Sequence, residues 1–423
     1  QFIWQFQYFN KRELQTVDGT PLQIIHPGTL NKNQGPDFAE AKIKIANTLW
    51  VGNVELHVQS SHWHQHHHST DANYSRIILH VVWLHDEIIK DATGETIPTL
   101  ELQSLVPKIL LQKYEHLMSA KGFVPCENFL PILSSLEWMA WKERLMIERL
   151  QIKSNSILQS LQQANNHWEE IFWWHLAANF GIKVNSSVFE QVAKSISVNI
   201  LAKHKNQIHQ LEALVLGQAN LLHDDFKEDY PLMLQKEYRY LSKKYTLNSI
   251  EQKPAFLRMR PANFPTLRLA QLAMLVNQSE HLFSNIQSAS TVHEVQKLFN
   301  VTANDYWHYH YRFNEAAEYQ PKNTGEQFVN NIIINTVVPM LFAYGIYRNE
   351  QQWKDKALEW LASLPAEQNN ITKKWKQFGV INQNALDSQS LLQLKNTYCD
   401  YYRCLDCAAG NKLLRTNKEI SSH

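Results

Sequence analysis

The chain has 423 residues, of which 44% are hydrophobic, enough for roughly two or three hydrophobic cores, and this predicts a soluble globular protein. It carries 41 basic and 40 acidic residues, which excludes general attraction to nucleic acid and leaves only a local basic groove as a nucleic-acid surface. No apolar run approaches the roughly 20 residues that span a bilayer, which argues against membrane insertion.

The first hundred residues alternate between short apolar and polar patterns that predict an α/β domain. A helix is predicted over Phe2 to Leu14, a strand over Leu22 to His26, and a β-hairpin over Gly35 to His57. Asn47 supplies the turn of the hairpin. A buried strand is predicted over Ile77 to Leu84, because that run is almost entirely apolar.

The hairpin carries the polar residues with the clearest chemistry. Asp37 follows Gly35 and Pro36, and Glu55 and His57 share one strand face because residues two apart point the same way. Asp37 and Glu55, with the Leu56 carbonyl, could bind Mg²⁺ or Mn²⁺ through oxygen ligands. His57 would then position or deprotonate a metal-bound water. The alternative is a turn closed by Asp37, with Glu55 and His57 as polar residues of a half-exposed strand.

The order of helix, three strands, second helix and further strand resembles the restriction-endonuclease-like core of the PD-(D/E)XK nuclease superfamily. Pro36-Asp37 and Glu55-Leu56-His57 stand in its motif positions, over roughly the first quarter of the chain. The resemblance implies metal-dependent phosphodiester hydrolysis of nucleic acid. The lysine of the superfamily is replaced by His57, which is not a permanent cation near neutral pH. A catalytically inactive nucleic-acid or protein binding module that keeps the fold is therefore an alternative.

Histidines are concentrated at the end of the hairpin, where 8 of the 20 fall within 29 residues. On a helix, His62 with His66, and His64 with His68, would be spaced to bind a transition metal. This suggests a second alternative, a histidine-bound transition-metal enzyme, against the structural interpretation of a solvated polar helix face. His80 lies in an apolar strand, so we predict a hydrogen-bonded core histidine there.

Beyond about residue 105 the apolar spacing becomes helical. Ser134 and Glu137 have the capping-box pattern, and Trp138 and Trp141 follow at helical spacing. The predicted helices cover Trp168 to Phe180, Ser187 to Lys203, Gln207 to Leu222, Tyr230 to Tyr245, Thr266 to Val276, Gly325 to Arg348, Gln352 to Leu364 and Ser388 to Asp406. The sequence thus predicts a nuclease-like α/β domain over residues 1–110 and a larger all-α domain over residues 111–423.

Cysteines form the second candidate site. Cys399, Cys404 and Cys407 have the spacing C-x4-C-x2-C, and Cys126 would complete four ligands if the ends of the helical region meet. Four thiolates can hold a structural zinc or an iron-sulfur cluster. Buried free thiols on one helical face, and two disulfides in an oxidising compartment, are the alternatives. No signal peptide is visible, so the grouped cysteines favour metal and a cytoplasmic location.

Three arginines surround two prolines in the helical region. Arg258, Arg260 and Arg268 flank Pro261 and Pro265, which stiffen the backbone before a helix. Their guanidinium groups could bind the phosphates of a nucleic-acid substrate or pair with acidic residues in a structural role.

Segments spread over nearly the whole chain are similar to one family of bacterial proteins defined as a domain of unknown function. They read GPDF, VELHVQSSHW, ILHVVW, MRPANFPTLRLAQLA and YCDYYRCLDCAAGNKLL. This resemblance implies a shared architecture and a bacterial cytoplasmic setting, with no activity attached.

Overall fold

A computed structural model describes residues 1–31, 34–65, 71–257 and 259–416. The chain divides into two units, one formed by Gln1–Glu137 with Lys395–His423 and the other by Trp138–Leu394. The predicted domain boundary at residue 110 differs from this division, because residues 111–137 and the C-terminal segment belong with the N-terminal strands.

The first unit is built on a six-stranded mixed sheet. The strand order is β1-β3-β4-β5-β6, and β2 also pairs with β3. The pairs β1–β3 and β3–β4 are antiparallel. The pairs β4–β5 and β5–β6 are parallel. The strands and helices before the second unit are α1 (Phe2–Gln5), β1 (Leu22–His26), β2 (Thr29–Leu30), β3 (Phe38–Ile45), β4 (Thr48–Gln59), α2 (His62–Gln65), β5 (Ile77–Leu84), β6 (Thr99–Glu101) and α3 (Lys108–Ser119).

The β3–β4 hairpin follows from the alternating pattern of its sequence. In β3, Phe38, Ala41 and Ile43 are fully buried while the lysines between them face solvent. Ala46 and Asn47 form the two-residue turn, as predicted for Asn47. In β4 only part of the predicted apolar face is buried, because Val54 is inside the core whereas Trp50 and Val58 are exposed.

The N-terminal helix is much shorter than predicted. Residues 2–5 are helical, but Gln7 and Glu13 adopt positive φ angles of 51° and 52°, which a helix cannot accommodate. Phe9 and Leu14 are buried from irregular backbone instead. The histidine-rich helix is described only over His62–Gln65, and residues 66–70 lie outside the described part of the chain.

Contacts between α3 and a C-terminal helix (Ala408–Arg415) explain why the end of the chain belongs to the first unit. Lys113 is 1% exposed, and its ammonium group donates to the carbonyl oxygens of Leu413 and Thr416. Burial lowers the pKa of Lys113. Lys412 pairs with Glu137, which lies in the first turn of a helix that begins at Ser135 and caps the start of that helix by accepting the backbone N–H of Ser134. These pairings join residues 275 to 303 positions apart in sequence.

The second unit is mostly helical. Its helices are α4 (Ser135–Gln163), α5 (Trp168–Phe180), α6 (Ile182–Ser195), α7 (Val198–Lys203), α8 (Ile208–Gln218), α9 (Asp229–Tyr245), α10 (Pro265–Gln278), α11 (Leu282–Ser288), α12 (Val292–Phe299), α13 (Asp305–His308), α14 (Glu326–Ile332), α15 (Val338–Arg348), α16 (Gln351–Ser363), α17 (Asn370–Gln377) and α18 (Ala385–Gln393). A short hairpin pairs β7 (His310–Arg312) with β8 (Glu315–Ala316). Most predicted helices are confirmed, and the capping box is formed by Ser134 and Glu137.

The last predicted helix is wrong beyond Cys399. A π-helical segment covers Leu394–Cys399, and Tyr402 then adopts a left-handed φ of 53° that ends the helical backbone. A single 3-10 turn, Cys404–Asp406, follows before the C-terminal helix. Cys404 and Cys407 therefore do not share the face of one helix.

The helical run Glu326–Arg348 forms part of the core of the second unit. It joins α14 to α15 through a π-helical segment, Ile333–Val337, and is long and apolar enough to cross a membrane by length and composition alone. However, 78% of its apolar window is buried inside the protein, as expected for a core helix.

Candidate functional site

The two predicted acidic residues lie side by side in the first unit. Asp37 immediately precedes β3, and its backbone N–H donates to Oε2 of Glu55 at 3.0 Å. In return, the backbone N–H of Leu56 donates to Oδ2 of Asp37 at 3.2 Å. The antiparallel pairing of Phe38 with Val54 produces this exchange, because it brings the start of β3 beside the second half of β4.

These carboxyl groups line a cleft of about 560 Å³. Leu56, His57 and the aromatic residues Tyr74 and Trp83 line the same cleft. The side-chain amide of Gln1 donates to Oδ1 of Asp37 at 2.6 Å. The cleft therefore combines convergent polar groups with aromatic walls, as small-molecule and catalytic sites commonly do.

Burial controls the protonation of this site. Glu55 is only 6% exposed, and desolvation raises its pKa from 4.5 to about 8, with the nearby charge of Asp37 acting in the same direction. The pKa of Tyr74 is raised to about 12, first by burial and then by the charge of Glu55. A negative charge on the buried Glu55, beside Asp37, is therefore disfavoured, and a bound cation would offset that cost.

His57 belongs to a buried pair of imidazoles. Its Nδ1 lies 2.8 Å from Nε2 of His80, and its Nε2 lies 3.9 Å from Oε1 of Glu55. His80 is fully buried, in agreement with the prediction of a hydrogen-bonded core histidine. The sequence did not predict that His80 contacts His57; the contact follows from the parallel register that pairs Glu55 with His80, which requires knowing that β4 and β5 are neighbours.

The oxygen donors suit a hard divalent cation. Mg²⁺ is commonly bound by one or two carboxylates and otherwise by water and substrate phosphate, and Asp37 and Glu55 supply two. Within the described ranges, no three histidine, cysteine or acidic side chains are arranged around a single metal position. A cation here would therefore be bound by the two carboxylates and by further ligands from solvent or substrate.

The predicted histidine pairs fall partly outside the described residues, because residues 66–70 are not described. His62 makes an edge contact with His57 at a centroid distance of 6.4 Å, and His64 lies 3.6 Å from Glu87 with half of its side chain exposed. The histidine-bound metal site stays a prediction.

The predicted arginines differ in their surroundings, and Arg258 lies outside the described residues. Arg268 is 6% exposed; it donates to Gln271 at 2.9 Å and Asn263 at 2.7 Å. These printed partners are amide side chains, not the acidic residues of the structural alternative, and the substrate-binding role of Arg268 stays a prediction. Arg260 is exposed, so its role in binding a substrate stays a prediction.

All four cysteines belong to the first unit. Cys126, Cys404 and Cys407 are buried, and Cys399 is partly buried.

An N-terminal mixed sheet followed by a mostly helical region defines the architecture. Residues 1–370 match the family model described as "Protein of unknown function (DUF2851)", and the chain belongs to that family. No curated protein and no solved structure matches the chain.

Proposed function

We propose that the protein is a metal-dependent hydrolase of nucleic-acid phosphodiesters, with Asp37 and Glu55 at its centre. The observation that carries the proposal is that two carboxyl groups line one cleft, where Glu55 accepts the backbone N–H of Asp37 and Asp37 accepts the backbone N–H of Leu56. Burial, with the charge of Asp37 as a smaller cause, raises the pKa of Glu55 to about 8, and strongly shifted pKa values are common at functional sites.

The strand order of the first unit supports the same proposal. Three antiparallel strands, β1, β3 and β4, are followed by the short α2 and by β5, which runs parallel to β4. From β1 onward this order is similar to that of the nuclease core that the sequence resembles, and its opening helix is represented only by the four residues of α1. Because one fold can serve many functions, the strand order supports the proposal less strongly than the carboxylate pair does.

When bound, a divalent cation would supply an activated water and neutralise charge on the scissile phosphate. Asp37 and Glu55 would hold it through carboxylate oxygens at the edge of the cleft. His57 would accept a proton through Nε2, the nitrogen that faces Glu55, while His80 holds the opposite side of the ring. Tyr74 and Trp83 would give a nucleotide base or sugar an aromatic wall.

A binding module without catalysis is the second candidate. The observation in its favour is that Nδ1 of His57, which replaces the lysine of the nucleases that the sequence resembles, lies 2.8 Å from Nε2 of the buried His80. A histidine held in this way does not provide the permanent positive charge of a lysine. Under this alternative the cleft would bind nucleic acid or a protein and leave the phosphodiester intact.

A cleavage assay separates the two candidates. The full chain is incubated with labelled single- and double-stranded DNA and RNA, with Mg²⁺, with Mn²⁺ or with chelator. Asp37→Asn and Glu55→Gln are near-isosteric and remove the ligating charge. Glu40→Gln is the matched control, because Glu40 is an exposed acid of the same hairpin.

We expect metal-dependent cleavage by the native protein and by Glu40→Gln, with losses of at least about 100-fold in the two site variants, the scale of removing a principal electrostatic group. Binding of the same substrates without cleavage in either metal would favour the binding module. Cleavage that survives both site substitutions would place the activity elsewhere.

A further inference from the structure

A second cleft, of about 420 Å³, lies within the second unit, and the reaction proposed above does not involve it. We call it the helical cleft. It is formed by the start of α5, by α7 with the turn after it, and by the end of α10 with the loop that leads to α11. Its volume is in the range of about 300–1,000 Å³ that small-molecule sites have.

The floor of the helical cleft is apolar. The side chains that α5 contributes include Phe172, Trp173 and Leu176, which share one helix face because they are three or four residues apart. The indole N–H of Trp173 donates to the carbonyl oxygen of Ala193 at 3.0 Å, so the polar atom of this ring is already satisfied. The buried residues of the floor are Phe172, Trp173, Leu176, Leu201 and Leu275. A ligand of this floor would be apolar over most of its length.

The rim of the helical cleft carries an ion pair between Lys205 and Glu280. The side chain of Lys205 is 20% exposed, whereas that of Glu280 is 69% exposed. The backbone of Lys205 is fixed by Asn277, whose amide group donates to the carbonyl oxygen of Lys205 at 2.6 Å. Because exposed ion pairs contribute little free energy, Glu280 could leave Lys205 for water at small cost. The ammonium group of Lys205 would then be able to bind another anion.

Two other polar residues of the rim have structural partners. Glu169 accepts the backbone N–H groups of Phe283 and Ser284 at 3.2 Å and 3.0 Å. Nδ1 of His167 accepts the backbone N–H of Glu170 at 3.1 Å, at the start of α5. These contacts hold the ends of helices, so the ion pair is the better placed of the polar groups to exchange partners.

The surroundings of Lys205 favour a singly charged anion. Its hydrogen bond to Glu280, together with its charge, lowers the pKa of the Glu280 carboxyl group, so a carboxylate is stabilised at this position. A ligand carboxylate would reproduce the same pairing. Glu169 and Glu280 also line the cleft, and their negative charges would repel a doubly charged phosphate more strongly than a carboxylate.

We propose that the helical cleft binds an amphipathic carboxylic acid, with its alkyl chain over the apolar floor and its carboxylate on Lys205 in place of Glu280. Binding exchanges one carboxylate partner of Lys205 for another, so the net gain comes from removing the alkyl chain from water. Each buried methylene group raises affinity about fourfold. This proposal is independent of the acidic cleft.

The test is isothermal titration calorimetry of the full chain with hexanoate, octanoate and decanoate. We expect the affinity to rise about 10- to 15-fold for each two methylene groups added. Decanol has the same chain as decanoate without its charge. Lys205→Gln should therefore weaken decanoate at least about 10-fold and leave the affinity for decanol nearly unchanged.

Two variants with opposite expected effects sharpen the test. Glu280→Gln should strengthen the binding of decanoate, because the competing carboxylate is removed. Ala202→Trp should abolish the binding of both ligands, because Ala202 lines the cleft and a large ring there would occupy it. Lys203→Gln is the matched control for charge, because Lys203 is an exposed lysine of the same helix that does not line the cleft, and it should bind as the native protein does.

The positions 202 and 280 are exposed, so these two variants remain informative if Lys205→Gln fails to fold. Absence of decanoate binding by the folded native protein would overturn the proposal. Binding that is unchanged in both Lys205→Gln and Ala202→Trp would overturn it by placing the ligand elsewhere. Tighter binding of decyl phosphate than of decanoate would overturn the choice of a carboxylate.

Discussion

Replacing Glu55 by glutamine is expected to change how the stability of the hairpin depends on pH. The pKa of Glu55 is raised by burial from 4.5 to about 8. Between these pH values the folded protein keeps a proton on Glu55 that the unfolded chain has released. Stability therefore falls as pH rises through this window, and this contribution is constant below about pH 4.5 and above about pH 8.

The size of the effect follows from the two pKa values. The difference between 4.5 and about 8 corresponds to about 5 kcal/mol when fully expressed, of which about 3 kcal/mol develops between pH 5 and pH 8. Glu55→Gln keeps an oxygen that can accept the N–H of Asp37 but cannot ionise. The variant should therefore lack this loss of stability at high pH.

Hydrogen exchange measured by mass spectrometry on peptides from β4 is the appropriate assay, because it reports local opening in a chain with two units. After correction for intrinsic exchange, the native hairpin should lose about 3 kcal/mol more protection than Glu55→Gln between pH 5 and pH 8. Mg²⁺ at pH 8 should restore protection in the native protein only. Equal pH dependence in both proteins would refute the assignment of a buried, proton-binding Glu55.

Three further predictions concern the packing around the sites. Lys113→Met should loosen the C-terminal helix by about 1–2 kcal/mol, seen as faster hydrogen exchange there, because two carbonyl groups lose a donor; unchanged exchange would contradict this. Arg268→Ala should lower the free energy of unfolding by about 2–4 kcal/mol in thermal unfolding, because Arg268 is buried. Arg260→Ala should lower it by less than about 0.5 kcal/mol, because Arg260 is exposed. Equal effects of the two substitutions would refute a structural role of Arg268. Gly410→Ala should destabilise the turn at Cys404 by about 1–3 kcal/mol, measured by local exchange, since its Cβ would collide with backbone; native-like protection would show that the helix can move away.

The sequence predicted the elements whose periodicity is regular. The alternation in β3 and the apolar run of β5 gave correct strands, and α5 was predicted with its observed limits. Prediction was wrong where a single backbone angle interrupts a helical pattern, as at Gln7 and Tyr402. Side-chain periodicity does not report positive φ angles in residues other than glycine.

In the candidate site, the features set within one hairpin could be predicted, and those that depend on other elements could not. Glu55 and His57 lie on one strand, so their shared face could be predicted. The short hairpin brings Asp37 beside Glu55, so this proximity could be predicted as well. The pairing of His80 with His57 depends on the neighbouring parallel strand and on its register, which periodicity does not determine. The burial of Arg268 depends on partners in other elements, including the ring of Phe328 at 3.6 Å, and no local pattern indicates it.

Binding of Mn²⁺ is a direct measure of whether Asp37 and Glu55 form a metal centre, because it requires no knowledge of the substrate. The full chain is titrated with Mn²⁺, and free Mn²⁺ is followed by electron paramagnetic resonance. We expect one Mn²⁺ site that is lost in Asp37→Asn and in Glu55→Gln and retained in Glu40→Gln. Absence of binding by the native protein, or binding that is unchanged in both site variants, would contradict a metal centre at the paired carboxylates.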